Sequence, residues 1–388
     1  VKLLFVSNGH GEAAIADRLA REIQAIAPST HVDHLGLVGE SCSQFMHDVG
    51  PARSMPSGGL IAMGNVTNIV RDVGGGLIGL TLAQRRFLKG ARGSYDRVVA
   101  IGDVFALLMA LAVRAPVTYV GTAKSVNVAP YGPMERRVLR RAAEVFVRDE
   151  ATAAQLRAQG VDARAPGNVI VDLYAGDEDA RAEAAVEGFV PALGVFPGSR
   201  ANAYADARFV MDIVRHAAAT RGQLGAVLSI APHLQSDAFA HALQADGWTV
   251  ERSSDERIPF TLRLGDRVVA RAWRGPIGPL LTRVQVVLGQ AGTANEAAAA
   301  AGIPVVAFER DHDRKGAWYR MRQHGLLGDA LVVLPGDPDA AIAGVNALLD
   351  DPSRRVEMGR IGRERMGGAG GAHAIARAIA DALADVRA

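Results

Sequence analysis

The sequence predicts an α/β protein made of two doubly wound, Rossmann-like domains. Three observations predict it: short β-branched runs alternate with longer amphipathic stretches, glycine-containing loops close several of the runs, and 388 residues accommodate two domains of ordinary size. Lys2–Ser7 reads as a strand, Glu12–Ile26 as a helix with Ile15, Leu19, Ile23 and Ile26 on one face, and His31–Leu37 as the next strand, which together make a βαβ unit. Strands at Arg97–Ile101, Val117–Val120 and Val145–Val147 follow, with helices at Val104–Val113, Met134–Ala143 and Ala151–Gln159. This places a first domain over residues 1–170. Acidic clusters at Asp177–Asp179 and Glu183–Glu187, ahead of Pro191, mark the expected boundary. The alternation restarts over residues 190–370, with strands at Leu193–Phe196, Ala226–Ile230, Val268–Ala270, Val284–Leu288, Val305–Phe308 and Leu331–Leu334. Helices at Ala205–Thr220, Gln235–Ala245, Asn295–Ala301 and Ala340–Leu349 fall between or after them.

Composition excludes several function classes. With 43 basic and 41 acidic residues the net charge is +2, too balanced for a dedicated nucleic-acid binder. Cys42 is the only cysteine, so neither an intrachain disulfide nor a cysteine-rich metal site is expected. Only four basic residues are lysine; the remaining guanidinium groups suit forked phosphate contacts, although a genomic composition bias also accounts for them. The start, Val1-Lys2-Leu3-Leu4-Phe5-Val6-Ser7, turns polar too early for a secretory segment, and Val104–Val113 is too short to span a bilayer. The expected location is the cytoplasm, with any membrane association peripheral and on the inner face. Residues 56–90 are candidates for that contact, because glycine-rich apolar sequence there ends in Gln84-Arg85-Arg86-Phe87-Leu88-Lys89. A buried helix followed by a solvated basic turn reads equally well.

Four loops carry residues suited to chemistry. In Ser7-Asn8-Gly9-His10-Gly11-Glu12, glycines between a strand and a helix permit close approach of a ligand, and His10 or Glu12 is a candidate general base or a helix cap. A dinucleotide fingerprint is incomplete there, since Ala14 stands where the third glycine belongs, which disfavours an NAD-dependent oxidoreductase. Ile101-Gly102-Asp103 ends a strand with a carboxylate, again a candidate base or an N-cap. Phe196-Pro197-Gly198-Ser199-Arg200 offers a hydroxyl and a guanidinium for phosphate, or forms an ordinary turn. The most informative loop is Leu288-Gly289-Gln290-Ala291-Gly292-Thr293-Ala294-Asn295-Glu296, followed by alanines and Gly302-Ile303-Pro304. A strand, a glycine loop and a small-residue helix converge several N–H donors on one point, which favours a diphosphate. Glu296 is placed to accept sugar hydroxyls or to complement the helix dipole, and without a P-loop lysine an NTPase is disfavoured.

Gly292-Thr293-Ala294, the alanine-rich helix and Gly302-Ile303-Pro304 resemble the donor-binding segment of GT-B glycosyltransferases. The order of Ser7–Glu12, Ile101-Gly102-Asp103, Pro166-Gly167-Asn168, Pro197-Gly198-Ser199-Arg200 and Gly292-Thr293-Ala294 is similar to lipid A disaccharide synthase and its relatives, over nearly the whole chain. The resemblance implies two Rossmann-like domains facing across a cleft, the sugar nucleotide on the C-terminal one, and a last helix, 372–388, packing back on the N-terminal one. It implies Asp103 as a catalytic carboxylate, Arg200 with Ser199 at the donor phosphates, and Gly289, Gly292, Thr293, Ala294 and Asn295 in the diphosphate loop. Where that family carries an acidic residue in the donor helix this chain has Ala297, and Glu296 lies about 100° round the helix. His10 after a glycine is similar instead to the peptidoglycan GlcNAc transferase.

The expected activity is transfer of a sugar, a hexosamine first, from a UDP-sugar to a lipid or lipid-linked acceptor. Asp103 is the first candidate base, His10 and Glu12 the next. No metal or cofactor is required, because the helix start and Arg200 can offset the leaving diphosphate; Asp311-His312-Asp313 reads as a solvated turn. A UDP-sugar 2-epimerase and a non-catalytic nucleotide-sugar-binding protein are the alternatives.

Overall fold

A computed structural model describes residues 1–38, 43–51, 77–174, 179–199, 202–309 and 314–385. The chain divides into two compact units, Val1–Leu173 together with the segment from Gly367 onward, and Tyr174–Met366.

The first unit holds seven strands: β1 (Lys2–Ser7), β2 (His31–Gly36), β3 (His47–Asp48), β4 (Arg97–Gly102), β5 (Val117–Gly121), β6 (Glu144–Val147) and β7 (Ala163–Arg164). All pair in parallel, in the order β3-β2-β1-β4-β5-β6-β7. A parallel sheet covered by helices on both faces buries every side chain of its central strands, which is why Leu3–Val6 and Val98–Ile101 are uninterrupted apolar runs with no exposure. The chain leaves β1 toward β2 on one side and returns to β4 on the other, so the sheet reverses direction between β1 and β4. The short edge strand β3 is held by a chain of side-chain bonds that runs from exposed Asp48 to buried His34 and Ser7. Asp48 accepts from His34 Nδ1 at 2.6 Å, and the Ser7 hydroxyl meets His34 Nε2 at 2.9 Å. The distances match those of a hydrolytic triad, but Ser7 is fully buried and serves as the inner end of a clasp.

The Pro166-Gly167-Asn168 motif anchors the last helix, Gly371–Asp385. Gly167 has φ +140°, and a β-carbon there would lie 2.7 Å from the Gly371 nitrogen, so only glycine admits the returning backbone. Asp172, buried in the helix Val169–Tyr174, accepts from the Gly370 and Ala372 amides at 2.6 Å each and so caps the final helix, which packs on the helix His10–Ile26.

The second unit holds β8 (Ala192–Phe196), β9 (Gly225–Ser229), β10 (Thr249–Arg252), β11 (Phe260–Leu264), β12 (Arg267–Trp273), β13 (Val286–Gly289), β14 (Val305–Glu309) and β15 (Leu331–Pro335), in the order β10-β11-β12-β9-β8-β13-β14-β15. The sheet is not wholly parallel, as the alternation predicted. β10–β11 and β11–β12 are antiparallel, the latter pair closed by Gly265-Asp266 with Gly265 at φ +58°. The acidic stretch expected to mark the domain boundary contains the helix Ala180–Val186, whose Ala182 and Ala185 pack with Val227 and Trp273 of the second unit. Here the sheet reverses between β8 and β13.

Candidate functional site

In open α/β sheets ligands bind beyond the carboxyl ends of the strands at the point of reversal. Each unit places predicted motifs there.

In the second unit, β8 ends at Phe196, directly in register with Gly289 at the end of β13. The Pro197–Ser199 turn therefore abuts the glycine loop: the position of a β-carbon on Gly198 lies 3.8 Å from Ala291 Cα. Gln290 pins the loop to both neighbouring strands. Its amide donates to Phe196 O at 2.9 Å, while its side chain donates to Phe308 O at 3.0 Å and accepts from Phe308 N at 3.2 Å. Asn295 is fully buried, with its Nδ2 donating to Gly289 O at 3.0 Å and to Gln323 Oε1 at 3.1 Å. A β-carbon on Gly289 would sit 1.9 Å from Asn295 Oδ1, so this glycine exists to seat that carboxamide. Gln323, from the helix Arg314–Leu327, donates to Ala291 O at 3.2 Å and to Gly292 O at 3.0 Å.

The result is a braced loop leading into a helix start. Ala291 and Gly292 precede the helix Thr293–Ala300, and the amides of Ala291, Gly292, Thr293 and Ala294 have no acceptor among the described residues. Successive unpaired N–H groups at a helix start form an anion nest, reinforced by the helix dipole. Thr293 is exposed and its hydroxyl bonds Tyr174, whose phenol is pushed up by burial, with Glu296 adding to the shift. Ser199 is exposed, its carbonyl bonded by His233 at 2.7 Å. Arg200 and Asp311-His312-Asp313 lie outside the described residues. Of the residues expected at a donor, Gly292, Thr293, Ala294 and Ser199 thus face the nest or the surface beside it, whereas Gly289 and Asn295 brace the loop from inside.

In the first unit the reversal point brings Ser7–Glu12 and Ile101–Asp103 together. Asn8 lies against Gly102, its Oδ1 3.0 Å from where a β-carbon would stand, and that oxygen is buried with no hydrogen-bond partner among the described residues. Beneath, Tyr119 donates to Gly102 O at 3.0 Å and meets the Tyr131 hydroxyl at 3.2 Å, both rings buried. Asp103 caps the helix Val104–Ala110 through Oδ1, which accepts from Phe105 N at 2.8 Å and Ala106 N at 3.3 Å, while no hydrogen bond to Oδ2 is made among the described residues. Glu12 occupies the first turn of its helix. Burial raises its carboxyl above the ordinary range and the Asp103 carboxylate adds to this, against hydrogen bonds from its own amide and that of Gly9. His10 opens the helix, and its side chain lies outside what is described. Among the described residues no group of three or more His, Cys, Asp or Glu side chains is placed to hold a metal ion.

Exposed apolar side chains sit on the helix that Asp103 caps and on two helices packed against it. Phe105 and Leu108 project from the helix Val104–Ala110, Leu82 from the helix Leu77–Gly90 and Met134 from the helix Pro133–Leu139, which both pack against it. The exposed cations Arg85, Arg86, Lys89 and Arg137 are carried by the same helices. Of the segment expected at a membrane, residues 52–76 lie outside the described region; no helix among the described residues is long and apolar enough to cross a membrane.

No protein-family model and no curated protein sequence matches the chain. Solved structures do. The calicheamicin glycosyltransferase CalG4 aligns with 99% of this chain and 98% of its own at 14% identity and a TM-score of 0.58. MurG from Acinetobacter baumannii aligns over 98% and 99% at 12% identity and 0.55. The UDP-GlcNAc 2-epimerase from Neisseria meningitidis, solved bound to UDP-GlcNAc, aligns over 99% and 100% at 14% identity and 0.54. The fold is GT-B. Among these GT-B proteins are both transferases and epimerases, so the fold alone does not select a reaction.

Several contributors escaped the sequence reading. Nothing local announces that the Gln290 carboxamide meets the backbone of β14 or that the Gln323 carboxamide meets the backbone of the glycine loop. Asn8, Tyr119 and Tyr131 are likewise assigned by neighbours distant in sequence.

Proposed function

We propose that this chain is a glycosyltransferase that moves a sugar, a hexosamine first, from a UDP-sugar to a lipid or lipid-linked acceptor, in the manner of lipid A disaccharide synthase. The observation that carries the reading is the row of unpaired amides from Ala291 to Ala294 at the reversal point of the second sheet. Such a nest stabilises the charge that develops on a departing nucleoside diphosphate, and it does so without reorganising during the reaction. Arg200, by its place in the sequence, would add a forked contact to the same phosphates.

In the first unit, Asp103 acts as the base. One oxygen is fixed by two amides of the following helix, leaving the other to accept the proton of an acceptor hydroxyl. Glu12, held more readily protonated by burial, limits the negative charge gathered beside it. Support for a lipid acceptor comes from Leu82, Phe105, Leu108 and Met134, since an apolar face with neighbouring arginines and lysine suits acyl chains below anionic headgroups. Phe105 and Leu108 belong to the helix that Asp103 caps, so that helix would carry both the base and part of the lipid-facing surface. A peripheral location at the inner membrane face follows from the same reading.

A second reading, a UDP-sugar 2-epimerase, is supported by the structural likeness to enzymes of that activity. The two part in one experiment. The purified chain is incubated with UDP-GlcNAc, alone and with anionic vesicles carrying a glycolipid acceptor, and both nucleotide sugars and lipids are analysed. Transfer predicts a glycosylated lipid and at most slow hydrolysis without acceptor. A new UDP-sugar formed without acceptor replaces transfer with epimerisation. A thermal-shift screen of UDP, GDP and TDP sugars identifies the donor independently, because binding raises the melting temperature with the logarithm of ligand excess.

A further inference from the structure

The nest in the second unit depends on a residue some thirty positions downstream. A trans peptide is planar, so the carbonyl of one residue and the N–H of the next point in opposite directions. Gln323 Nε2 holds the carbonyls of Ala291 and Gly292, at 3.2 and 3.0 Å. Those are the peptide planes whose N–H groups belong to Gly292 and Thr293. Tying both carbonyls inward turns these two amides outward; the Gly292 carbonyl is held as well by the amides of Asn295 at 3.1 Å and Glu296 at 3.3 Å, and Gln323 is itself fixed by Asn295, which donates to its Oε1 at 3.1 Å. Both side chains are buried, Gln323 to 6% exposure and Asn295 to none, so neither can meet a ligand. Only a carboxamide fits this place, since it must accept once and donate twice.

We propose that Gln323 is a positioning residue for pyrophosphate recognition: through two peptide planes it aims the Gly292 and Thr293 amides at the donor's diphosphate while touching no part of it. The proposal rests on the reading of the loop as a nucleoside-diphosphate site. It separates Gln323 from residues that would recognise the base or the sugar, because its hydrogen bonds go to the two loop carbonyls and to Asn295 behind them. Glutamate is the wrong replacement despite its equal length, having no donor for the two carbonyls and adding a negative charge behind an anion site. Methionine preserves volume and apolar packing and removes the hydrogen bonds.

The test is titration of the full chain with UDP and with uridine, by calorimetry or ligand-observed NMR, for wild type, Gln323→Met and Gln323→Glu, with melting temperatures recorded alongside. The expected result is a loss of UDP affinity of about tenfold in Gln323→Met and a larger loss in Gln323→Glu, with uridine affinity unchanged in both. Equal UDP affinity in wild type and variants overturns the proposal and leaves the site reading standing. So does a parallel loss of UDP and uridine, which is the mark of a merely structural role. A wild-type chain that binds no nucleoside diphosphate overturns both. Should Gln323→Met fail to fold, the ratio of UDP to uridine affinity in Gln323→Glu decides.

Discussion

Replacing Asp103 separates its capping of the helix from its proposed part as a base. As a cap, Oδ1 accepts from Phe105 N at 2.8 Å and from Ala106 N at 3.3 Å, at the start of a helix whose Ala106, Leu107 and Ala110 are fully buried. Asparagine caps a helix about as well as aspartate, whereas alanine leaves both amides without their acceptor, at a cost of about 1 kcal/mol. For a unit of this size 1 kcal/mol lowers the melting temperature by roughly 2–4 °C. Asp103→Asn should therefore melt within a degree or so of wild type, and Asp103→Ala a few degrees lower. As a base, the carboxylate has no substitute in either variant. Both should lose transfer by roughly 10²–10⁴-fold, the range general base catalysis supplies, while keeping donor affinity. The assays are differential scanning fluorimetry, UDP titration and turnover of UDP-sugar with a glycolipid acceptor. Full transfer by Asp103→Asn would refute the catalytic role, and equal melting of the two variants would refute the capping argument.

Gly289→Ala drives a methyl group to within 1.9 Å of Asn295 Oδ1, an overpacking of roughly 1–3 kcal/mol, and should abolish UDP binding by expelling the brace of the loop, as calorimetry will show. Asp172→Ala removes the acceptor of two 2.6 Å bonds at the final helix and should destabilise the first unit by about 2–3 kcal/mol, with faster hydrogen exchange in Gly371–Asp385. Asp33 is held below its ordinary value of 3.8: burial opposes ionisation, but hydrogen bonds from Tyr95, Lys2 and His31 and the charge of Lys2 outweigh it. Its folded-state pKa being depressed, it contributes stability above pH 3.8 that is lost as pH falls through the folded value, so Asp33→Asn should flatten the acid limb of a stability–pH curve and lower the plateau near neutrality. Glu12→Gln removes a carboxylate whose ionisation burial opposes, and chemical denaturation at pH 7 should find this variant no less stable than wild type.

The sequence by itself determined the strands of both sheet centres, because a parallel strand buried on two faces must be an unbroken apolar run, as Leu3–Val6 and Val286–Leu288 are. It also marked the loops at two strand ends, Gly102-Asp103 and Gly289–Thr293, since a loop that passes close to a neighbouring side chain needs glycine. The antiparallel edge was signalled by Gly265-Asp266 and passed over, because β10 and β11 are short, β10 is largely polar and β11 alternates apolar with polar residues. The helix Pro352–Met366 gives little apolar periodicity, since it packs through Gly359 and Gly362 against the carbonyls of Gly302 and Ala299. Only tertiary structure decided that Asp172 caps a helix some 200 residues away and that Gln323 turns two amides of another loop. Periodicity and capping are properties of neighbours along the chain, whereas these contacts are set by how separate elements pack, and a lone buried carboxylate or carboxamide has no local pattern to reveal its partner.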